Sequence, residues 1–557
     1  MSWAAKETPE GAFSSTNTHV GQLGAEVDVC IVGSGPDALS VLSALHEPFA
    51  NLSAADYNRV ANNKHRQRNG KKKLKVCVVS PSLPVWLREW EMRFDALDIT
   101  CLRSPASAHP DMFSVHGLGE FAREHGREDE LSDVATIYAK ELGGINARLR
   151  DLDEGLFDVP TQALFIDFCR SLAAKLPHRC VQGHVVCIDR AVNGRGDHEE
   201  GGGDETPASS RPAANRQHLH VQLCQQDGSR GFVSARNVVL AVGAAGPSLV
   251  PPAICNGLPP QFVTHTNAVT ELMALKNAAP HGSERVLVVG GGLSAIQAAI
   301  AFASRGSRVV LASRRPLSWR HFDLPIPWLD RRTLNSKRHD FFSTKLEERA
   351  AFIKEARGSG TVPPWYRNKL KRSGVECVVA KVAEAVHHEP ACCGGPGTGA
   401  ATPALQGAAG APVRVALEAP DGSTRELRVN RVVLGTGSVT DCLELPLLKA
   451  LHARWPVGVV GGLPVINLDL SWAPGLPVYV VGGLAALRVG PDAANLMGAR
   501  RAAELVAQSL GVYDQLEDAG SYVVANKYSM FLDSSDDDSS TEEENEEKGR
   551  AAPTPCS

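Results

Sequence analysis

Short runs of β-branched apolar residues alternate along the chain with helix-length stretches, and two of these alternations share a glycine-rich junction. One run is 27–32, Val27-Asp28-Val29-Cys30-Ile31-Val32, and the other is 285–289, Arg285-Val286-Leu287-Val288-Val289. Nearly continuous apolar content of this kind predicts strands buried on both faces of a parallel sheet. The first run enters Gly33-Ser34-Gly35-Pro36-Asp37-Ala38 and the second enters Gly290-Gly291-Gly292-Leu293-Ser294-Ala295. Helix-like segments follow, over 36–45 and 294–305.

The glycines have a physical reason: the backbone must turn tightly and bring its N–H groups against a pyrophosphate, which then rests on the positive end of the next helix. Gly33, Ser34, Gly35, Pro36 and Ala38 are therefore expected at one cofactor, and Gly290, Gly292, Leu293 and Ser294 at another. Two such turns in strand-turn-helix context, far apart in one chain, fit a flavoprotein in which one unit holds FAD and the other presents a nicotinamide to it. Hydride transfer is the leading chemical expectation.

The rest of the pattern fills in around these turns. A strand is expected over 74–79, ending at Ser80 where a ribose-binding acid is usual. Residues 86–125 are dense in distinctive side chains, and Trp86 is placed with the cofactor-binding residues. The Pro-broken loop Leu102-Arg103-Ser104-Pro105 to Asp111 reads either as a packed loop with a satisfied arginine or as a flavin-facing loop. Arg103 and His109 are the candidate catalytic residues, being a charged and a titratable group in apolar surroundings. Thr161 caps a helix expected over 162–172. Strands at 237–242 and 431–434 each end in small residues and repeat one pattern. A strand at 308–313 ends in Arg314-Arg315, where an arginine would hold the 2′-phosphate of NADPH by a charge-assisted contact. Near the end, 478–481 leads into Gly482-Gly483, and a helix is expected from Gly490-Pro491 through Asn495 to 510. Gly482, Gly483, Pro491 and Asn495 join the cofactor set.

Composition narrows the function classes. The chain has 557 residues, enough for two or three domains, with 43% hydrophobic and 22% charged residues. A net charge of -4 gives no electrostatic basis for nucleic-acid binding. Thirteen cysteines show no Cys-x-x-Cys spacing, so neither a disulfide framework nor a zinc or other metal site is expected. No apolar run is long enough to span a membrane. Residues 1–26 lack a secretory signal pattern, so a cytoplasmic protein is expected, with an organelle also compatible. The segments 191–216 and 394–411 are low-complexity inserts. Residues 531–557 are an acidic tail too polar to fold alone.

The order Ile31-Val32-Gly33-Ser34-Gly35-Pro36, Leu102-Arg103-Ser104-Pro105, His109-Pro110-Asp111, Val288-Val289-Gly290-Gly291-Gly292 and Gly482-Gly483-Leu484-Ala485-Ala486-Leu487 resembles the FAD/NAD(P)-binding oxidoreductases related to the lysine and ornithine N-hydroxylating monooxygenases. The resemblance runs from about 27 to 510 without the inserts. It implies an α/β chain of two nested, three-layer Rossmann-like domains with a disordered acidic C-terminal tail. The expected FAD-binding domain is 27–270 with 430–512, and the expected NAD(P)H-binding domain is 280–429. It further implies a cycle in which NADPH reduces FAD, dioxygen forms a peroxyflavin, and one oxygen passes to an amine of a small molecule. Two departures stand out: the 102–112 region lacks the Met-Gln and Lys-Asp pattern of characterised N-hydroxylases, and Gly483 stands where related flavoproteins carry an aspartate. An NAD(P)H-dependent reductase of a quinone or other acceptor, and a non-catalytic redox sensor, are the alternatives.

Overall fold

The computed structural model describes residues 26–46, 74–132, 158–190, 218–243, 246–278, 284–329, 331–358, 360–387 and 413–512. The expected N-terminal segment, the two low-complexity inserts and the acidic tail lie outside the described residues, apart from Glu26 at the edge of the first of them.

Strand Glu26–Val32 lies between Val76–Ser80 and Arg230–Leu240 in parallel register, with Val29 opposite both Val76 and Asn237. Val29, Cys30 and Ile31 are fully buried, as expected of a strand covered on both faces. Arg179–Gln182 extends the sheet on one side. On the other side, antiparallel Leu219–Cys224 and His184–Arg190 follow Arg230–Leu240, and Val478–Val480 pairs parallel with the same strand. Helix Pro36–His46 buries nine of its eleven residues, Pro36 and Ala38 to Leu45, and packs on helix Leu496–Ser509.

A second, wholly parallel sheet has the order Glu376–Val379, Arg308–Ser313, Arg285–Val289, Arg431–Leu434, Val263–His265. Its strands fall in sequence between Arg230–Leu240 and Val478–Val480 of the first sheet. Two expected boundaries therefore move. Arg431–Leu434, expected with the 430–512 portion of the first domain, pairs instead with Arg285–Val289; Val263–His265, expected within 27–270, also belongs to this second sheet. Short apolar strands carry no mark of which sheet they join, because both are buried parallel sheets.

Between Arg308–Ser313 and Glu376–Val379 the second unit sends out helices Arg331–Phe342 and Leu346–Arg357. These dock on the 486–494 segment of the first unit: Arg338 pairs with the buried Asp492 at 3.1 Å, and Arg349 and Arg357 donate to the carbonyls of Leu487 and Pro491. Lys276 and Arg305 meet Asp98 at 2.7 and 2.9 Å. The two sheets are thus tied together by polar contacts at several places.

Candidate functional site

The first glycine turn leaves the sheet at Val32. Gly33 has φ +121°, and a Cβ there would stand 2.3 Å from the carbonyl oxygen of Ala241, the residue just past the neighbouring strand. Only glycine fits both constraints. Gly35 is the opposite case, since a Cβ there would meet nothing within 4 Å. Among the described residues, the backbone N–H groups of Ser34, Gly35, Asp37 and Ala38 have no hydrogen-bond acceptor. Open space over Gly35 and unpaired donors at a helix N-terminus are what an approaching phosphate requires.

The second turn repeats this geometry. Gly290 has φ +144°, and a Cβ there would lie 2.3 Å from the carbonyl oxygen of Gly435, again just past the neighbouring strand. The N–H groups of Gly291, Gly292, Leu293 and Ser294 are likewise unpaired among the described residues. One small residue escaped the sequence reading of this site: Ala295 holds the third position of the pattern, matching Ala38, and its Cα is 2.6 Å from where a Cβ on Gly435 would sit. Setting Gly290-x-Gly292-x-x-Ala295 over Gly33-x-Gly35-x-x-Ala38 is the signal that finds it. Arg314 and Arg315 are exposed immediately past Arg308–Ser313 and form no ion pair among the described residues.

At the expected ribose position the structure holds hydroxyls instead of an acid. Ser34 Oγ is 2.9 Å from Ser80 Oγ and 3.0 Å from Ser82 Oγ. A carboxyl does come near the turn, but from Asp37. Gly482 has φ +74°, and a Cβ on it would be 2.9 Å from Asp37 Oδ2, so the first turn and the 482–485 turn are in contact. Burial raises the Asp37 carboxyl to about 7. A raised carboxyl holds its proton in the folded chain while the unfolded chain has lost it, so stability falls as pH rises from about 4 to about 7. Asp37→Asn should therefore melt close to the original at pH 5 and be more stable than it at pH 8, by about 1–2 kcal/mol after allowance for partial exposure. Thermal melts of the flavin-free protein at the two pH values check this; equal midpoints for both proteins at pH 8 would contradict it.

Other candidates are relocated. The Trp86 ring is 5% exposed and packs edge-on against His178 within the core, so it presents no free face to a cofactor. Pro491 opens a 3₁₀ turn rather than the helix, which begins at Leu496; Asn495 serves as its cap, accepting from the N–H groups of Met497 and Gly498. Gly482 and Gly483 are buried in the turn that follows Val478–Val480.

Neither catalytic candidate is placed to react. His109 is fully buried, 3.3 Å from the Arg500 guanidinium and edge-on to Phe168. Burial, then the charge of Arg500, hold it well below the usual histidine range, so it is a neutral core residue. Arg500 also donates to the carbonyls of His109 and Asp111, which makes it the fastener of this loop, and nothing in its local sequence announces that. Arg103 spends all three guanidinium nitrogens on groups of the second unit, the carbonyls of Arg320, His321, Phe322 and Thr361 and the Thr361 hydroxyl. Burial lowers it to about 10. The loop is the packed one with a satisfied arginine. A cavity of about 500 Å³ lined by Arg236, Asp469 and Tyr479 lies toward the amino end of the first sheet, away from both glycine turns.

Residues 213–329 match the pyridine nucleotide-disulphide oxidoreductase family, a span that includes strand Arg230–Leu240 and the second glycine turn. A search of curated proteins finds no match. Among solved structures, the chain is similar to the Kutzneria sp. 744 ornithine N-hydroxylase in its complex with reduced FAD, NADP+ and L-ornithine, with a TM-score of 0.58 at 17% identity over 88% of this chain and 100% of that one. It is similar to the reduced ornithine hydroxylase of Pseudomonas aeruginosa (TM-score 0.56, 17% identity, 88% and 100%) and to the L-lysine 6-monooxygenase of Pseudomonas syringae (TM-score 0.55, 18% identity, 87% and 99%). From its first strand to its last helix, the chain has the fold of the ornithine and lysine N-hydroxylases.

Proposed function

We propose that the chain is an oxidoreductase of two nested dinucleotide units that uses FAD and NADPH and oxygenates an amine of a small molecule, an amino acid being the first class to try. The observation that carries this reading is the duplicated turn, in which each leading glycine sits under the carbonyl just past the neighbouring strand and each following helix leaves its first N–H groups unpaired. The fold of the N-hydroxylases over most of the chain supports it.

The residues present fit both cofactors. The open face of Gly35 and the N–H groups of Ser34, Gly35, Asp37 and Ala38 would take the FAD pyrophosphate, with Ser80 and Ser82 beside it as uncharged ribose partners. The N–H groups of 291–294 would take the pyrophosphate of NADPH, and Arg314 or Arg315 its 2′-phosphate. Bound FAD supplies the redox chemistry, accepting hydride and then, when reduced, reacting with dioxygen. The chain would orient the two nucleotides toward each other, and the 331–357 helices join the two units through Arg338 to Asp492 and Arg349 to the Leu487 carbonyl.

Purified protein reduced by NADPH without oxygen and then mixed with oxygen in a stopped-flow spectrometer tests the reading. A long-lived spectrum distinct from both oxidised and reduced flavin, with amine-dependent hydroxylated product, is expected. Direct return to oxidised flavin without product would favour a reductase of another acceptor, and protein free of flavin a nucleotide-binding sensor. No helix among the described residues is long and apolar enough to cross a membrane, and no group of metal-ligating side chains occurs among them.

A further inference from the structure

The backbone of the second unit folds back over its own glycine turn. Gly360 has φ +79°, and a Cβ there would stand 2.8 Å from Gly292 Cα and 3.1 Å from Gly292 N, so the two backbones are in contact at the turn assigned to the NADPH pyrophosphate. The next residue, Thr361, is 8% exposed and pairs with the strand Ser318–Trp319. Among the described residues, the Arg103 side chain of the first unit hydrogen-bonds this strap from outside. Arg103 donates from Nε to the carbonyl of His321 at 2.7 Å and from Nη1 to the carbonyl of Thr361 at 3.1 Å; Nη2 reaches the Arg320 carbonyl at 2.8 Å and the Thr361 hydroxyl at 2.7 Å. Its own loop is fixed to the first unit, with Leu102 N–H donating to Pro160 and Ala106 N–H to Asp158.

We propose that Arg103 is a positioning residue: it fastens the Gly360–Thr361 strap, and with it the second glycine turn, to the first unit, and so sets the distance over which hydride passes between the two nucleotides. This rests on the reading of the two turns as NADPH and FAD sites. A planar fork that satisfies several carbonyls at once suits the task, and a lysine ammonium cannot span the same acceptors. Arg320 reinforces the strap by donating to the carbonyls of Asp323, Ala356 and Arg357. Arg103 touches neither glycine turn, so its influence on chemistry runs through the strap.

The test compares Arg103→Ala, Arg103→Lys and the milder Thr361→Val with the unaltered protein by two readouts. Backbone amide exchange is expected to rise over 318–323 and 360–362 and to stay unchanged over 26–46. Flavin content is expected to stay unchanged, while the limiting rate of anaerobic flavin reduction at saturating NADPH falls by roughly 10- to 100-fold for the Arg103 variants, with NADPH affinity changing far less. Added guanidinium should restore part of the rate in Arg103→Ala and none in Arg103→Lys. Unchanged exchange over 360–362, or raised exchange with an unchanged reduction rate, would overturn the proposal. If Arg103→Ala does not fold, Thr361→Val decides by the same two criteria. Flavin in the unaltered protein that NADPH does not reduce would sink the functional reading and the hydride-positioning role with it, and exchange would then report separately on whether Arg103 joins the units.

Discussion

Replacing Gly35 by alanine should leave the protein folded and weaken its hold on FAD, whereas the same change two residues earlier should strongly destabilise the first unit. At Gly35 a new methyl meets no atom within 4 Å, so the flavin-free protein should keep its stability to within about 0.5 kcal/mol. That empty volume is the approach to the unpaired N–H groups of the turn, and a methyl in it holds a pyrophosphate away from charge-assisted hydrogen bonds worth about 1.5–3 kcal/mol each. A loss of FAD affinity of roughly 100-fold follows from about 2.7 kcal/mol. Gly33→Ala meets a φ of +121° and the Ala241 carbonyl 2.3 Å away, two penalties that together cost about 3–5 kcal/mol. This is a large share of the roughly 5–15 kcal/mol that stabilises a protein. Melting curves and flavin absorbance of the two variants separate the cases. Full flavin content in folded Gly35→Ala would remove the first turn from the cofactor site.

Replacing Arg314 and Arg315 together by alanine should weaken NADPH by about 10- to 100-fold and leave NADH nearly untouched. The two side chains are exposed at the end of Arg308–Ser313 and engage no carboxylate among the described residues, so they are free to bind a dianion. One charge-assisted phosphate contact is worth about 1.5–3 kcal/mol, which sets that range. NADH has no 2′-phosphate and gains nothing from them. Dissociation constants for the two nucleotides measured on the same variant provide the check, and equal losses would reject the phosphate role.

The local structure around the candidate site was legible in the sequence, and its long-range fastening was not. Strands Arg285–Val289, Arg308–Ser313 and Arg431–Leu434 fall where the apolar pattern placed them, and Thr161 caps its helix through the N–H of Leu164. These are properties of neighbouring residues, which a linear pattern records. For Arg103 and His109 the sequence leaves two readings open because their partners are remote in the chain: the Arg103 acceptors are 217 to 258 residues away, and Arg500 is 391 residues from His109. A charged or titratable residue in apolar surroundings reads identically whether it fastens two segments or reacts with a substrate. Gly490-Pro491 resembled a helix start, but the side chain of Asn495 supplies a stronger cap and the helix waits for it. Asp37 sat inside the first motif unnoticed, since its importance comes from Gly482, far away in sequence.

The central claim is that one chain binds a flavin and a nicotinamide so that electrons pass between them. Anaerobic mixing of the purified protein with NADPH, followed by flavin absorbance, tests it most directly. The protein should arrive carrying oxidised flavin, and that absorbance should bleach in a saturable, single-phase reaction faster with NADPH than with NADH. Protein that carries no flavin when supplied with FAD, or bound flavin that neither nucleotide bleaches, would contradict it.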